Sequence, residues 1–254
     1  MVQMDPEVSV ITPAWNAEKT IEEVISSVRA QTFANWEMVI VDDGSSDGTQ
    51  EKLVAAMLAD ERIHPVFLSE NSGAAAARNK ALYLARGRYV AFLDSDDRWK
   101  PDKLAKQLAF MKKHQYAFTF TGYEYMDASG RPLNKIIHAP QRVTYHDLLK
   151  NTIVGCLTVM IDRNQTGRFQ MPDLRSRQDL ATWLKLLKQG FTAYGLDENL
   201  SAYRVGSRNA LSGNKWKAAK KTWFVFRRVE GLPLPEACWY FCHYAANAAI
   251  KRFS

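Results

Sequence analysis

Short apolar runs alternate with segments of helical periodicity over residues 8–93. Each run carries apolar residues at nearly consecutive positions, which is typical of a strand buried on both faces of a sheet. Between the runs, apolar residues recur at the spacing of one helix face. We therefore predict strands at Val8–Thr12, Trp36–Val41, Ile63–Leu68 and Tyr89–Leu93, with helices at Glu18–Gln31, Thr49–Leu58 and Ala74–Ala85 between them.

The alternation of strands and helices indicates βαβ units, because parallel strands need a crossover that a helix usually provides. The predicted fold class is α/β, with a mostly parallel, Rossmann-like central sheet, flanking helices on both faces and right-handed crossovers. Ligands bind such sheets at the carboxyl ends of the strands, so a functional site is expected there.

Three polar turns directly follow predicted strands. Pro13–Asn16 follows the first strand, Asp42–Ser46 the second and Asp94–Asp97 the fourth. Because the carboxyl ends of parallel strands meet at one edge of a sheet, these turns should converge. Such convergence is not expected of unrelated solvated turns, so the pattern predicts a functional site at that edge.

The third turn is acidic, with Asp94, Asp96 and Asp97 close together. Their mutual repulsion is relieved if they share a hard divalent cation such as Mg²⁺ or Mn²⁺, which can also hold a phosphate. The alternative interpretation is a solvated acidic turn. Neither a G-x-x-x-x-G-K-[ST] loop nor a G-x-G-x-x-G fingerprint is present, so bound phosphates would depend on metal and on Arg or Lys.

The chain beyond residue 100 mixes helices with strands of antiparallel character. Residues 116–125 alternate and are rich in aromatic side chains, and the turn Asp127–Gly130 leads into a return strand at Leu133–Ile137. The remaining predictions are helices at Pro101–His114, Thr144–Lys150 and Gln178–Lys188, a strand at Leu157–Ile161, and one or two short strands within Leu196–Tyr203.

The tail, residues 211–254, contains two predicted amphipathic helices, Asn214–Arg228 and Glu236–Phe253. The apolar positions of the first are Trp216, Ala219, Trp223 and Phe226, and its basic positions are Lys217, Lys220, Lys221 and Arg228. The apolar stripe of the second is Trp239, Cys242, Ala246, Ala249, Ile250 and Phe253. A basic, aromatic hairpin suits the surface of an anionic membrane. The alternative is that both apolar faces pack on the rest of the chain or on a second subunit.

The 254-residue chain has a net charge of +7, which suggests nucleic-acid binding as an alternative function. Basic residues crowd into 214–228 and 251–252, however, whereas the predicted sheet edge is acidic and would repel phosphates without metal. We therefore expect no nucleic acid partner. The sequence shows neither a secretory signal nor an apolar run long enough to span a bilayer. The spacing of its cysteines, Cys156, Cys238 and Cys242, is not that of zinc ligands. We therefore predict a cytoplasmic protein with reduced thiols.

Five segments, in this order, resemble the family 2 glycosyltransferases. They are V-S-V-I-T-P-A-W-N, I-V-D-D-G-S-S-D-G-T, N-S-G-A-A-A-A-R-N-K-A, Y-V-A-F-L-D-S-D-D and R-Q-D-L-A-T-W-L. The last segment and the basic tail are most similar to bacterial enzymes of teichuronic acid, capsule and O-antigen synthesis. The resemblance implies a GT-A catalytic domain at 1–210, with a nucleotide-binding half at 1–100 and an acceptor half at 101–210, followed by the helices of 211–254.

The resemblance also implies a UDP-sugar donor, a divalent cation (Mn²⁺ or Mg²⁺), inversion at the anomeric carbon, and a glycan or lipid-linked saccharide as acceptor. The last of these would bring the enzyme to the inner face of the cell membrane. Matched position by position, the nucleotide-binding residues are Pro13, Trp15, Asp43, Arg78 and Asp94. Pro13 and Trp15 would line the uracil pocket, and Trp15 stands where these enzymes often have Tyr. Asp43 would accept a hydrogen bond from uracil, and Asp94 would meet the ribose or the metal.

By the same resemblance, Asp96 would bind the metal on the diphosphate and Asp179 would be the general base. The family more often has Glu where this chain has Gln178, but the base itself is retained. The chemistry agrees: a cation stabilises the charge that builds on the leaving diphosphate, and a carboxylate takes the proton of a poorly nucleophilic sugar hydroxyl. A single general base with no nucleophilic Ser or Cys suits one displacement and hence inversion.

Other interpretations stay open. A nucleotidyltransferase that makes nucleotide sugars would usually carry a Gly-rich amino-terminal loop, which P-A-W-N-A-E-K does not supply. Trp99 is interpreted as a packing residue that can also face a sugar ring, and Asp97 as a contact to donor or acceptor sugar. Arg204 either helps to hold diphosphate or a loop, or has a structural role. The scattered histidines are predicted to be surface or partly packed residues.

Overall fold

The computed structural model describes residues 5–206 and 215–253, the side chains of 215–217 and 249–253 excepted. The described residues form one ten-stranded sheet in which the order is β3-β2-β1-β4-β9-β6-β10-β5, with β7 paired to β6 and β8 to β10. The strands are β1 (Val8–Ala14), β2 (Trp36–Asp42), β3 (Ile63–Phe67), β4 (Tyr89–Phe92), β5 (Arg98–Trp99), β6 (Phe118–Met126), β7 (Pro132–Ile137), β8 (Arg142–Val143), β9 (Met160–Asp162) and β10 (Ala193–Arg204).

Helices connect and cover these strands. They are α1 (Ile21–Arg29), α2 (Thr49–Ala59), α3 (Ala74–Leu84), α4 (Lys103–His114), α5 (Tyr145–Lys150), α6 (Arg163–Thr166), α7 (Gln178–Lys188), α8 (Lys215–Phe224) and α9 (Leu234–Phe253). A 3₁₀ turn spans Cys156–Thr158, and a π-helical segment at Val225–Val229 continues α8. No helix in the described part of the chain is both long enough and apolar enough to span a bilayer.

The first half of the sheet is parallel, as predicted from the alternating pattern. β1 pairs with β2 and β4, and β2 pairs with β3, all in parallel register. Along β1, Val10 faces the core under α1, α2 and α4, whereas Ile11 faces the core under α3, α5 and α7. Both are fully buried, which explains why the strand reads as a continuous apolar run.

The second half of the sheet departs from the prediction in detail. β9 is antiparallel to both β4 and β6, so a short reversed strand separates the parallel half from β6 and β10. The predicted strand Leu157–Ile161 begins later, at Met160, because the preceding residues form the 3₁₀ turn. The segment Leu196–Tyr203 lies within one long strand, β10, which is parallel to β6 and has register shifts around Asn199.

Two local predictions were wrong. Pro13 was expected to end the first strand, but β1 continues to Ala14, beyond the last residue of β1 paired with β4. In the predicted helix Thr49–Leu58, the sequence spacing places Leu53, Val54 and Met57 on one apolar face, yet Val54 and Met57 are about two-fifths exposed. Leu53 is buried as predicted and Ala56 is buried with it, because this side of α2 contacts the core that also contains the buried face of α1.

The tail helices contribute to the core beside α5 and α7. Val225, Phe226, Ala237 and Tyr240 are buried there, and the Tyr240 hydroxyl lies 2.6 Å from Nδ1 of His146 on α5. The predicted apolar face of the first helix therefore packs on the rest of the chain through Phe226. In α9 the predicted stripe was wrong about the buried side, because Trp239, Cys242 and Ala246 are exposed and Ala237 and Tyr240 pack instead. The predictions for Trp216, Lys217, Ala249, Ile250 and Phe253 concern side chains outside the described residues.

Candidate active site at the carboxyl edge of the sheet

The carboxyl ends of β1, β2 and β4 lie side by side, as the sequence predicted. Pro13 and Ala14 pair with Val41 and Asp42, and the Leu93 amide donates to the Ile11 carbonyl over 3.1 Å. The turns that leave these strands therefore start from neighbouring points at one edge of the sheet.

The turns after β1 and β2 are joined by hydrogen bonds. The Asn16 amide donates to the Ser45 hydroxyl (2.8 Å), and the Ser46 amide donates to the Asn16 side-chain oxygen (2.9 Å). Asn16 has a left-handed backbone with φ of +47°, which asparagine tolerates better than most residues. Beside it, the Trp15 side chain is 46% exposed, so its ring is open to a planar ligand.

Asp43 fastens the turn before α3. Its two carboxylate oxygens accept the amides of Ser72 and Gly73, each over 2.8 Å. The carboxylate thus lies at the amino end of α3, where the helix dipole favours negative charge. Each oxygen has a second lone pair, and the Asp43 residue is 2% exposed.

Gly44 lets the turns after β2 and β3 approach through backbone alone. It has φ of +69°, and a Cβ there would lie 2.8 Å from the carbonyl carbon of Glu70. The turn that carries Asp43 and the turn that starts α3 are therefore in direct backbone contact.

Arg78 on α3 forms an ion pair with Asp94 at the end of β4. Arg78 is only 6% exposed, and its Nε and Nη1 atoms are buried without a partner among the described residues. Burial disfavours its charge, but the carboxylates of Asp94 and Asp179 raise the pKa of its guanidinium above the usual value. Arg78 therefore stays cationic, with donors left for a ligand.

The acidic turn is held from outside on two consecutive carbonyls. The Thr20 hydroxyl donates to the Ser95 carbonyl over 2.7 Å, and Nε of Arg204 donates to the Asp96 carbonyl over 2.7 Å. The Arg204 amide also donates to Oδ1 of Asp97 over 2.8 Å. The backbone that presents Asp96 is consequently fixed on both sides.

Asp97 differs from its neighbours because it is 1% exposed. Burial, followed by the charges of Asp96 and Asp94, raises the pKa of Asp97 well above its usual range. Its carboxyl group accepts from the Arg204 backbone, so Asp97 supports the turn in addition to any contact with a sugar.

Asp179 lies in the first turn of α7 and is partly exposed. A carboxylate in the first turn of a helix commonly accepts a backbone amide, but no side-chain capping bond is present at Arg177 and no described hydrogen bond goes to the Asp179 carboxylate. Its charge acts on Arg78 and on the buried thiol of Cys156, which places it near the Arg78–Asp94 pair. No hydrogen bond or ion pair in the described part of the chain joins Trp15 to that pair.

A divalent cation at the acidic turn would be bound jointly by the protein and by the phosphates of a ligand. The described residues contain no cluster of three acidic, His or Cys side chains arranged to enclose a metal. Mg²⁺ and Mn²⁺ bound to nucleotides commonly take one or two carboxylates from the protein and further oxygens from phosphates and water. The partly exposed carboxylate of Asp96, on its fixed turn, suits that kind of site.

Sequence reasoning missed Thr20 and Cys156 and left the role of Arg204 open. Thr20 and Ser95 are 75 residues apart in the chain, and Arg204 and Asp96 are 108 apart, so no local spacing could have shown either contact. The Cys156 thiol lies in the core beside Arg78, and burial raises its pKa well above the usual value, so the thiol stays protonated.

A protein family and individual proteins are both similar to this chain in sequence. The family described as glycosyl transferase family 2 matches residues 9–172. TuaG of Bacillus subtilis (strain 168), whose name provisionally assigns it to teichuronic acid biosynthesis as a glycosyltransferase, is 61% identical over 252 residues, 99% of this chain and 100% of TuaG. The Escherichia coli UDP-Glc:alpha-D-GlcNAc-diphosphoundecaprenol beta-1,3-glucosyltransferase WfgD is 40% identical over 93% of this chain and 91% of WfgD.

Solved structures agree on the fold. S. aureus TarS 1-349 in complex with UDP-GlcNAc superposes with a TM-score of 0.69 at 20% identity, over 94% of this chain and 71% of that one. The mannosyltransferase PcManGT from Pyrobaculum calidifontis, in complex with GDP-Man and Mn²⁺, has a TM-score of 0.70 at 20% identity, over 99% and 76% of the two chains. The GT-A fold implied by the sequence motifs is thereby confirmed. The chain belongs to glycosyl transferase family 2 and is a glycosyltransferase.

Proposed function

We propose that this enzyme transfers a sugar from a UDP-sugar to a hydroxyl of a glycan or lipid-linked saccharide in bacterial surface polysaccharide synthesis. The relatives supply the substrate class: TuaG is named for teichuronic acid, WfgD for a UDP-Glc donor and a diphosphoundecaprenol acceptor, and TarS was solved with UDP-GlcNAc. The observation that carries the proposal is the Arg78–Asp94 pair, with the Asp179 charge acting on the same guanidinium. A nucleotide-side cation and a candidate base thus interact electrostatically with each other.

Donor binding follows from the turns at the sheet edge. Trp15, supported by Pro13, stacks on uracil, and Asp43 accepts a hydrogen bond from its N–H. Asp94, held by Arg78, meets the ribose or the metal. The two buried donors of Arg78 without partners among the described residues are available to oxygens of the nucleotide.

The displacement is a single inverting step with Asp179 as general base. Asp179 takes the proton of the acceptor hydroxyl as its oxygen forms a bond to the anomeric carbon and the bond to UDP breaks. Asp96 would hold Mn²⁺ or Mg²⁺, and the bound cation supplies electrostatic stabilisation of the charge on the leaving diphosphate. The buried, protonated Cys156 thiol provides no nucleophile for a second displacement.

The tail is proposed to contact an anionic membrane next to a lipid-linked acceptor. Phe224, Leu234 and Trp239 are 49, 55 and 60% exposed on the tail helices, and Lys220 and Arg228 are exposed as well. Packing accounts for the buried side of these helices but leaves these three apolar side chains in water. The division of the chain at residue 210 stays a prediction, as does a cytoplasmic location.

Calorimetric titration with UDP tests the donor site. UDP should bind in the presence of Mn²⁺, should bind far more weakly with EDTA, and should lose the effect of Mn²⁺ in an Asp96→Ala variant. The matched control is Glu61→Ala, an exposed carboxylate just before the amino end of β3, at the opposite edge of the sheet. UDP binding that is equal in Mn²⁺, in EDTA and in Asp96→Ala would refute a metal at Asp96, and absence of UDP binding throughout would refute the donor.

A further inference from the structure

Arg204, at the end of β10, is a buried arginine whose polar contacts all go to the acidic turn and its surroundings. Its side chain donates to the Asp96 carbonyl (2.7 Å), the Ala128 carbonyl (3.0 Å) and the Glu23 carboxylate (2.7 Å). Arg204 itself is 3% exposed, whereas its partner Glu23 has a side chain that is 43% exposed.

All three guanidinium nitrogens of Arg204 donate hydrogen bonds to other residues of the protein. Nε, Nη1 and Nη2 each have a partner, and Glu23 balances the charge. This differs from Arg78, whose Nε and Nη1 have none among the described residues. Of the roles that the sequence left open for Arg204, holding a loop fits these contacts, because its guanidinium nitrogens are already bonded to protein groups.

The anchor joins elements that are remote in the chain. Glu23 belongs to α1, Ala128 to the turn between β6 and β7, and Arg204 to β10. The backbone amide of Arg204 adds a bond to Oδ1 of Asp97, so side chain and main chain hold adjacent residues of the turn. A fixed guanidinium fork is well suited to this, because several donors leave one rigid plane.

We propose that Arg204 is a positioning residue that fixes the acidic turn in the shape needed to present Asp96. Arg204 does not contact the reacting groups; it acts through the Asp96 carbonyl and the Asp97 carboxyl group. The inference rests on the proposed function in one respect, that the Asp96 carboxylate holds a divalent cation. Groups that orient a metal ligand without touching the metal commonly change metal affinity by about 10–100-fold when they are removed.

Two measurements on Arg204→Lys and Arg204→Ala test this role. Lysine keeps the charge but cannot reproduce the fork. We expect faster hydrogen–deuterium exchange in a peptide covering 94–97, and an affinity for Mn²⁺ in the presence of UDP that falls about tenfold or more. The Lys variant should lie between the wild type and the Ala variant.

Arg98→Ala is the matched control. Arg98 is 3.7 Å from the same Glu23 and donates to the Gly130 carbonyl of the same hairpin turn, but none of its side-chain bonds in the described residues goes to the acidic turn. The Mn²⁺ affinity of Arg98→Ala should stay within about twofold of the wild type. If the effect of the Arg204 variants came only from a general loosening of the hairpin, Arg98→Ala would lower the affinity as well.

The outcomes separate the proposal from its premise. Faster exchange with unchanged Mn²⁺ affinity would overturn the positioning role, and unchanged exchange would overturn the anchor itself. If Arg204→Ala does not fold, Arg204→Lys decides by the same two readouts. If the wild type binds UDP without any need for Mn²⁺, the metal at Asp96 fails, whereas exchange at 94–97 still decides whether Arg204 holds the turn.

Discussion

At the scale of single residues, the Asp179 carboxylate is at the start of a helix yet makes no capping bond among the described residues. A carboxylate in that position commonly accepts a backbone amide, and freedom from that task suits a group that must take a proton. Its charge also raises the pKa of the Arg78 guanidinium in the candidate donor site, after the larger effects of burial and Asp94.

Asp179→Asn should abolish transfer without disturbing donor binding. The amide cannot accept the proton of the acceptor hydroxyl, so the turnover number should fall by about 10²–10⁴-fold. Calorimetry with UDP and Mn²⁺ should give an affinity within about twofold of the wild type. Asp173→Asn, an exposed residue just before α7, serves as the control and should keep full activity. Normal turnover of Asp179→Asn would refute the assignment of the base.

Lys103 is a second residue with an unusual environment. It is fully buried, its Nζ lies 3.9 Å from the centre of the Trp99 ring, and no described residue accepts a hydrogen bond from it. Burial lowers the pKa of Lys103 well below its usual value. Trp99, for which a sugar contact was considered, packs against this lysine and donates to the Leu157 carbonyl, so the structure favours its packing role.

Lys103→Met should stabilise the protein, because methionine has a similar volume and removes a buried amine without a hydrogen-bond partner. We expect the free energy of unfolding to rise by about 1–3 kcal/mol. The gain depends on pH. Between the lowered folded pKa and about 10.4 the unfolded chain binds the extra proton, so wild-type stability rises with pH and the advantage of Met shrinks. Urea unfolding at pH 7 and pH 10 measures this. Lys113→Met, exposed on the same helix, should change little, and a destabilised Lys103→Met would contradict the account.

At the scale of elements, the contact between the turns after β2 and β3 depends on Gly44. Gly44→Ala adds a Cβ against the Glu70 backbone at a left-handed position, so it should both destabilise the fold by about 1–3 kcal/mol and weaken UDP binding. Gly190→Ala is the matched control, because Gly190 also has positive φ (+98°) but nothing lies within 4 Å of its Cβ position. Thermal unfolding and UDP calorimetry should show loss of affinity in the first variant only.

Strands that are buried throughout were predictable from sequence, whereas the full extent of β10 was not. β1, β2 and β4 are buried throughout, so their apolar runs mark them, and the following turns were correctly located. β10 passes from buried Ala193 through exposed Asp197 to buried Ala202, and its register shifts interrupt any alternation. Its continuity and its parallel pairing with β6 depend on contacts that only the folded chain brings together.

At the scale of the whole molecule, the same limit applies to the candidate site. Motifs identified residues on the turns, because each follows its own strand closely in sequence. The residues that fix those turns, Thr20 and Arg204, come from distant parts of the chain and carry no local pattern.

The exposed apolar side chains of the tail give a prediction about the entire protein. Phe224→Ser combined with Trp239→Ser should reduce flotation with vesicles that contain anionic lipid, while the unfolding temperature changes little because both side chains are largely exposed. Substitution is preferable to truncation at 210, because Phe226, Ala237 and Tyr240 belong to the core. Val54→Ser with Met57→Ser, partly exposed on α2, is the control, and equal flotation of all three proteins would refute a membrane-binding tail.

The long separation in sequence between Arg204 and the acidic turn also affects how the protein folds during its synthesis. The bond from the Arg204 amide to Asp97 closes a span of 107 residues, and β10 completes the sheet only by entering between β6 and β5. Contacts between parts so distant in sequence form late, since their loop entropy must be overcome first. During synthesis the four strands β1 to β4 can assemble while the ribosome is still making the later strands. The acidic turn therefore acquires its contacts with Arg204 only when β10, the last strand in chain order, joins the sheet.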